Sequence, residues 1–296
     1  MGLMLPLNGF LNIDKPLGMT SHDVVYRVRR LVGKSTKVGH AGTLDPLATG
    51  VLIVCVGAAT RLSDYAMHAQ KNYLAQVMLG VETTTYDGEG EIIQQMDVSH
   101  LTEGDIQTAL IPFIGKIQQI PPMYSAIKQG GKKLYDLARS GVTVEREPRN
   151  VEIFSLDLRV WEPPVATLQV VCSAGTYIRS LAHDLGSALQ VGGSLSGLRR
   201  TASGIFTLEN IEDLAGFHTM ADVFSKLLPP LSVFTDWHQV VVTPEEIIML
   251  QQGKLISIRD EQPLQEAVAV TEQNQLLAIL QRQEDHWHPK KVFPFT

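Results

Sequence analysis

Asp45 is the residue whose neighbours best equip it for chemistry. It lies in Gly39-His40-Ala41-Gly42-Thr43-Leu44-Asp45-Pro46-Leu47-Ala48-Thr49-Gly50-Val51-Leu52, a glycine-flanked and nearly uncharged run that leads into an apolar stretch over 51–56. Pro46 removes an N–H donor and restricts the residue before it, which stiffens the backbone at Asp45. Gly39, Gly42 and Gly50 permit close approach or unusual dihedrals. A carboxylate presented in this way at the edge of a core can act as a nucleophile or as a proton acceptor. The same residues also suit an Asp-Pro turn or a helix N-cap, and by themselves they favour the turn.

The other reactive side chains offer less. Cys55 and Cys172 each sit in an apolar, β-prone run. A catalytic thiolate needs an electropositive, partly exposed setting, and two distant cysteines cannot form a metal site alone, so both read as reduced core thiols. The 296 residues are 44% hydrophobic and 19% charged, which suits a globular chain of one large domain with one small one. The N-terminus lacks the basic start of a targeting signal, and no apolar run approaches the ~18 residues of a membrane helix. The expected setting is the cytoplasm.

The net charge of −6 is unevenly spread. Residues 1–208 carry 19 Lys/Arg against 18 Asp/Glu, and residues 209–296 carry 6 against 13. Arg27, Arg29, Arg30, Lys34 and Lys37 form one basic run, and Lys128, Lys132, Lys133, Arg139, Arg146 and Arg149 a second. Phosphate contact depends on local basic surface rather than on the total. Charge therefore permits an RNA partner, although charge alone favours a solvated helix face or loop for either cluster.

The elements that must position Asp45 can be read from periodicity. Thr20-Ser21-His22-Asp23 followed by Val24, Val25, Val28, Leu31 and Val32 predicts a capped helix closed by Gly33. Residues 9–13 and 51–56 predict strands, as does the alternation of Tyr73, Ala75, Val77 and Leu79. Helices are predicted over 60–70, 105–115 and 177–189, a strand over 165–172, and an exposed loop within 128–149. Without a fixed βαβ period, the expected class is α+β: a mixed, mainly antiparallel sheet with packed helices. After the Pro229-Pro230 joint, Thr243-Pro244-Glu245-Glu246 starts a helix that Gly253 ends, and the runs 267–270 and 276–280 complete a small β-rich module.

The segment around Asp45 resembles the catalytic motif of the bacterial tRNA pseudouridine synthase B family. Further matches follow in order: Gly9-Phe-Leu-Asn-Ile-Asp-Lys-Pro16 with Gly18-Met-Thr-Ser21, Lys71-Asn-Tyr73, Thr85-Tyr-Asp-Gly-Glu-Gly90, Pro121-Pro122-Met-Tyr-Ser-Ala126 with Lys128, Ser173-Ala-Gly-Thr-Tyr-Ile-Arg-Ser180, and Leu198-Arg-Arg200 with Gly204 and Phe206. Together they span residues 9–206.

The resemblance implies a pseudouridine synthase domain over 1–235, with 128–149 as an RNA-binding loop region, and a PUA-like module over 236–296. It implies isomerisation of uridine-55 in the T-arm of tRNA, with no cofactor and no metal; a monomer that needs no membrane is the default expectation. Asp45 would be the nucleophile, attacking the ribose C1′, adding to C6 of the ring or assisting a glycal route. Arg179 would pair with it and keep it ionised. Tyr73 would stack on the target base with its hydroxyl placed for proton transfer, and Tyr177 and Leu198 would wall the pocket. His40 would meet the T-loop, and Lys15 would help to position the catalytic loop. A base inside a folded arm must be extruded to reach Asp45. The competing readings are a non-catalytic RNA-binding or RNA-folding protein of the same fold, a guide-dependent relative, and a glycosidase in which Asp87 or Glu89 supplies a second carboxylate.

Overall fold

Alternating apolar side chains draw ten strands into one sheet, seen in a computed structural model that describes residues 7–125, 127–142, 144–259 and 264–293. The expectations placed on Ala126, and on the side chains of Lys128, Lys132, Lys133 and Arg139, lie outside the described residues. In chain order the elements are β1 (Gly9–Lys15), α1 (Ser21–Val32), β2 (Val38–Ala41), β3 (Ala48–Val56), α2 (Ser63–Met67), β4 (Lys71–Leu79), β5 (Val81–Thr83) and β6 (Ile92–Gln95). Next come α3 (Glu103–Leu110), β7 (Gly115–Gln119), β8 (Lys128–Gln129), β9 (Lys132–Lys133), α4 (Leu134–Arg139), β10 (Arg149–Glu162) and β11 (Val165–Cys172). They are followed by α5 (Ile178–Ala188), β12 (Gly193–Ser203), β13 (Phe206–Thr207), β14 (Glu212–Asp213) and α6 (Met220–Ser225). The last are β15 (Gln239–Val241), α7 (Pro244–Gln251), β16 (Ile256–Ser257), β17 (Glu266–Val270), β18 (Leu276–Gln283) and β19 (His286–Val292).

The main sheet has the order β14-β1-β3-β12-β4-β11-β10-β7, with β2 beside β3 and β13 beside β12. Within this sheet, among the described residues, β1–β14 and β3–β12 pair in parallel and the other strand pairs are antiparallel. This is the mixed, mainly antiparallel sheet with packed helices that the sequence predicts. Period-2 alternation in β3 gives the sheet two apolar faces: Leu52, Val54 and Val56 join the cluster under α1 and α5, while Val51, Ile53 and Cys55 join a second cluster behind. The α1 helix has the expected capping box between Thr20 and Asp23, and it buries Val24, Val25, Val28 and Val32.

Two expectations are corrected. Residues 60–70 form a 3-10 turn over Gly57–Leu62 and only a short α2, and the chain then turns into β4. The helix expected over 105–115 stops at Leu110, because Pro112 cannot continue it and Gly115, at φ +96°, turns the chain into β7. The 128–149 region includes the exposed stretch expected of it, after the β8–β9 hairpin, closed by the Gly130-Gly131 turn, and the helix α4.

The last strands form a separate five-stranded sheet, β15-β17-β18-β19-β16, which is the expected small β-rich module. Ala267 and Ala269 face its own core with Leu250 and Trp287. Val268 and Val270 face the opposite way, into the cluster that holds Phe10, Val51, Ile53, Phe206 and Phe234.

Candidate active site

The loop between β2 and β3 is fastened at nearly every residue, and Asp45 stands at its apex. Ser21, buried at the start of α1, accepts from Leu44 N at 2.8 Å and donates to Leu44 O at 2.9 Å. On the other side, Pro46 O accepts from Gly18 N at 2.9 Å and from Lys15 Nζ at 3.3 Å. Lys15 is fully buried and also donates to Pro16 O and Met19 O, and burial pushes its ammonium down to about 8. Ala48 N donates to Asp45 O at 3.0 Å, closing the turn. Gly50 has φ +92°, and a Cβ there would meet Arg200 O at 2.2 Å, so the close approach of β3 to β12 requires glycine.

Arg179 meets this loop from α5. Its Nη2 lies 3.0 Å from Asp45 Oδ2, and its Nη1 lies 3.2 Å from Asp87 Oδ2. The same guanidinium donates to Tyr124 O at 2.7 Å. The Arg179 and Asp87 side chains are only 7% and 3% exposed, whereas Asp45 keeps 40% of its surface. Asp45 is thus the member of the trio that a substrate can reach. Burial pushes the Asp45 carboxyl above its ordinary value, with Arg179 pulling it back and Asp87 pushing it further up. Because Asp87 is buried against Arg179, it is not free to flank a sugar opposite Asp45, so of the two acids in the glycosidase reading Asp87 is excluded.

The remaining expected residues lie around this pair. Tyr73 on β4 is in register with Arg200 on β12, and Ala75 with Leu198, so Tyr73, Leu198 and Arg200 share one face. Burial pushes the Tyr73 phenol up, Arg200 opposes the rise and Asp45 adds to it. Tyr177 caps the start of α5, where the Gln119 side chain accepts from Tyr177 N at 2.7 Å and donates to Tyr177 O at 2.9 Å. Burial raises the Tyr177 phenol as well, and Asp45 is among the groups it senses. His40 on β2 has a buried Nδ1 without a hydrogen-bond partner, and burial followed by Arg200 lowers its pKa. All seven expected residues therefore belong to, or brace, one neighbourhood.

Sequence reasoning assigned no role to Arg200, Gln119 or Ser21, and it considered Asp87 only as a possible second carboxylate, not as a partner of Arg179. Arg200 is 1% exposed, and it donates from Nε to Val51 O at 2.7 Å and from Nη2 to Gly42 O at 3.0 Å. It thereby ties both ends of the Asp45 loop to β12. Asp87 carried a usable signal, since it is an acid held between Thr85 and Gly88 in an otherwise turn-forming run. Burial pushes Cys55 up to about 12 and Cys172 up to about 11, as expected of inert core thiols. A cavity of about 330 Å³ lined by Pro121, Leu134, Arg146 and Arg149 lies in the 128–149 region and contains none of the site residues.

Comparison with known proteins places the chain in a family. Residues 29–178 match the TruB family pseudouridylate synthase N-terminal domain, and residues 179–231 match the tRNA pseudouridylate synthase B C-terminal domain. The tRNA pseudouridine synthase B of Symbiobacterium thermophilum is 50% identical over 86% of this chain and 84% of its own. That of Dehalococcoides mccartyi is 43% identical over 97% of both chains. Among solved structures, one from a Cbf5-Nop10-Gar1 complex superposes with a TM-score of 0.72 at 26% identity, over 97% of this chain and 85% of that one.

Proposed function

The chain belongs to the TruB family of pseudouridylate synthases, isomerases that make pseudouridine in tRNA, and from that premise we propose that it converts uridine-55 of the T-arm. In this reading it acts as a cytoplasmic monomer; no described helix is long and apolar enough to cross a membrane. The target base leaves its stack and enters the cleft above Asp45. The N1–C1′ bond breaks, the uracil turns, and a C5–C1′ bond forms. The proton on C5 is then lost and N1 gains one, so the product is an isomer and the reaction needs no redox partner.

Asp45 is the nucleophile that takes up the intermediate, and Arg179 holds its carboxylate ionised and aimed. Tyr73 stacks on the base, and its phenol, kept neutral by burial, is placed to handle the proton. Tyr177 and Leu198 wall the uracil, His40 meets the T-loop where the base departs, and Lys15 fastens the loop from below. The observation that carries the reading is the 3.0 Å Asp45–Arg179 pair, in which only the acid is exposed. A non-catalytic RNA-folding protein has no need of a buried cation holding one exposed carboxylate.

Pseudouridine has the mass of uridine, so the test is carbodiimide labelling of a T-arm stem-loop after incubation, followed by mass spectrometry. An adduct at position 55 with the parent, absent with Asp45→Asn, is the expected result. No adduct with the parent, or an equal one with the variant, would sink the proposal.

A further inference from the structure

On the Asp87 side of Arg179 lies a pair of rings to which the isomerisation assigns no role. His183 follows Arg179 by four residues on α5, so the two share a helix face. Its imidazole stacks on the ring of Tyr86, with centroids 4.0 Å apart and planes 10° from parallel. Its Nδ1 is 3.4 Å from Glu82 Oε1, out of line for a hydrogen bond. Tyr86 immediately precedes Asp87 and holds φ at +63°, a left-handed conformation that is unfavourable for an aromatic residue.

The backbone of the Asp87 loop is fastened to β5 and β12. Leu195 N donates to Tyr86 O at 2.9 Å, Gly88 N to Leu195 O at 3.0 Å, and Thr83 Oγ1 to Asp87 O at 2.6 Å. Directly across to α5, the loop is held by Arg179, which reaches Asp87 Oδ2 and Thr85 O, and by the ring stack. The left-handed turn at Tyr86 swings its ring over His183, and the stacking offsets the strain of that turn. Asp87, Arg179 and Asp45 form a chain of two ion pairs at 3.2 and 3.0 Å, so a shift of Asp87 reaches Asp45 through one rigid guanidinium.

We propose that His183 and Tyr86 are positioning residues for the isomerisation, a clamp that fixes the Asp87 loop against α5 and so sets Arg179 at its distance from Asp45. The clamp rests on the reading of Asp45 as the nucleophile. Neither ring meets the substrate; both act through Asp87 and Arg179.

The test compares kcat, KM for tRNA and thermal midpoint in the parent, His183→Ala, His183→Phe, Tyr86→Phe and Tyr86→Gly, with Asp45→Asn as the inactive control. The variants lacking the stack, His183→Ala and Tyr86→Gly, are expected to lose about tenfold in kcat at unchanged KM, the signature of a misplaced catalytic group. The variants that keep two stacked rings, His183→Phe and Tyr86→Phe, are expected within about twofold of the parent. Glycine accepts φ +63° without strain, so the midpoint of Tyr86→Gly should not fall in step with its kcat. The clamp is overturned if His183→Ala and Tyr86→Gly turn over like the parent, or if their losses follow the folded fraction. A parent that leaves tRNA unmodified overturns the nucleophile reading and the clamp together.

Discussion

In the proposed mechanism Asp45 must remain ionised to react, and its surroundings pull its carboxyl both ways. Burial and Asp87 favour its protonated form, and Arg179 favours the charged one. Asp45→Asn keeps the shape and hydrogen-bonding capacity but removes the nucleophilic charge. It is expected to cut turnover at least about a thousandfold while tRNA affinity, measured by filter binding, stays near the parent's. Turnover within tenfold of the parent would show that Asp45 is not the reacting group. The balance of forces also gives the single-turnover pH profile a defined sign. Arg179→Met removes the strongest opposing cation, so the acid limb should move to higher pH. Asp87→Asn removes a like charge, so the limb should move to lower pH. Two limbs shifting in the same direction would contradict this account of the site. Asp45 and Arg179 were legible in the sequence because they sit in long, unusual motifs. Asp87 and Arg200 were harder to assign, since their roles come from register: Arg200 matters because β12 places it beside Tyr73 and Gly50, and no local pattern announces a strand partner.

At the scale of elements, what the sequence made legible was whatever had a local cause. The α1 helix starts at Thr20 and ends before Gly33 because a capping box and a glycine dictate both ends. The long strand β10 was not anticipated, because its mixed burial obscures the period-2 signal and its place is set by β7 and β11 on either side. Residues 60–70 misled for a related reason: helix α2 is short, and a lysine from the following strand holds its end. Lys71 Nζ donates to Met67 O and Ala69 O, each at 2.9 Å, and burial pushes this ammonium down to about 7, with Arg200 adding to the push. The unfolded chain holds that proton up to about pH 10. Between about pH 7 and 10 the unfolded state therefore binds more protons than the folded one, and stability should rise with pH across that window. Lys71→Met removes this contribution, while Lys15, shifted in the same direction, remains in both proteins. Denaturant titrations at pH 6.5 and 9 should thus show the parent gaining on the variant, and parallel behaviour would mean that Lys71 stays charged in the fold.

Over the whole molecule, the question is which surface carries the tRNA. On α1 and the turn after it, Arg27, Arg30, Lys34 and Lys37 are exposed, and only Arg29 is committed internally, donating to Val38 O at 2.8 Å. The C-terminal module differs. Arg259 pairs with Glu246, Lys290 with Glu266 at 2.9 Å, and Lys291 donates to Arg61 O while lying 5.0 Å from the Tyr65 ring centroid. Residues 237–296 also carry 5 Lys/Arg against 8 Asp/Glu, so the module can release few counterions on meeting phosphate. Its apolar contribution is larger, because Val268, Val270, Ile279 and Phe293 cover Phe10 and Ile53 on the back of the main sheet. Deleting the module would uncover that cluster and confuse binding with folding, so charge-removing substitutions are the sharper experiment. Changing Arg27, Arg30, Lys34 and Lys37 to Gln is expected to weaken tRNA binding and to flatten the slope of log affinity against log salt by roughly 0.7–0.9 for each phosphate no longer neutralised. Neutralising Lys128, Lys132 and Lys133 together should act in the same direction. Neutralising Lys254 and Lys290 should change the slope little, since one of the two is already paired with an acid. Titrations at three salt concentrations decide between the surfaces: if the C-terminal pair flattens the slope more than the α1 set, the module is a main RNA-binding surface and its internal ion pairs open on binding.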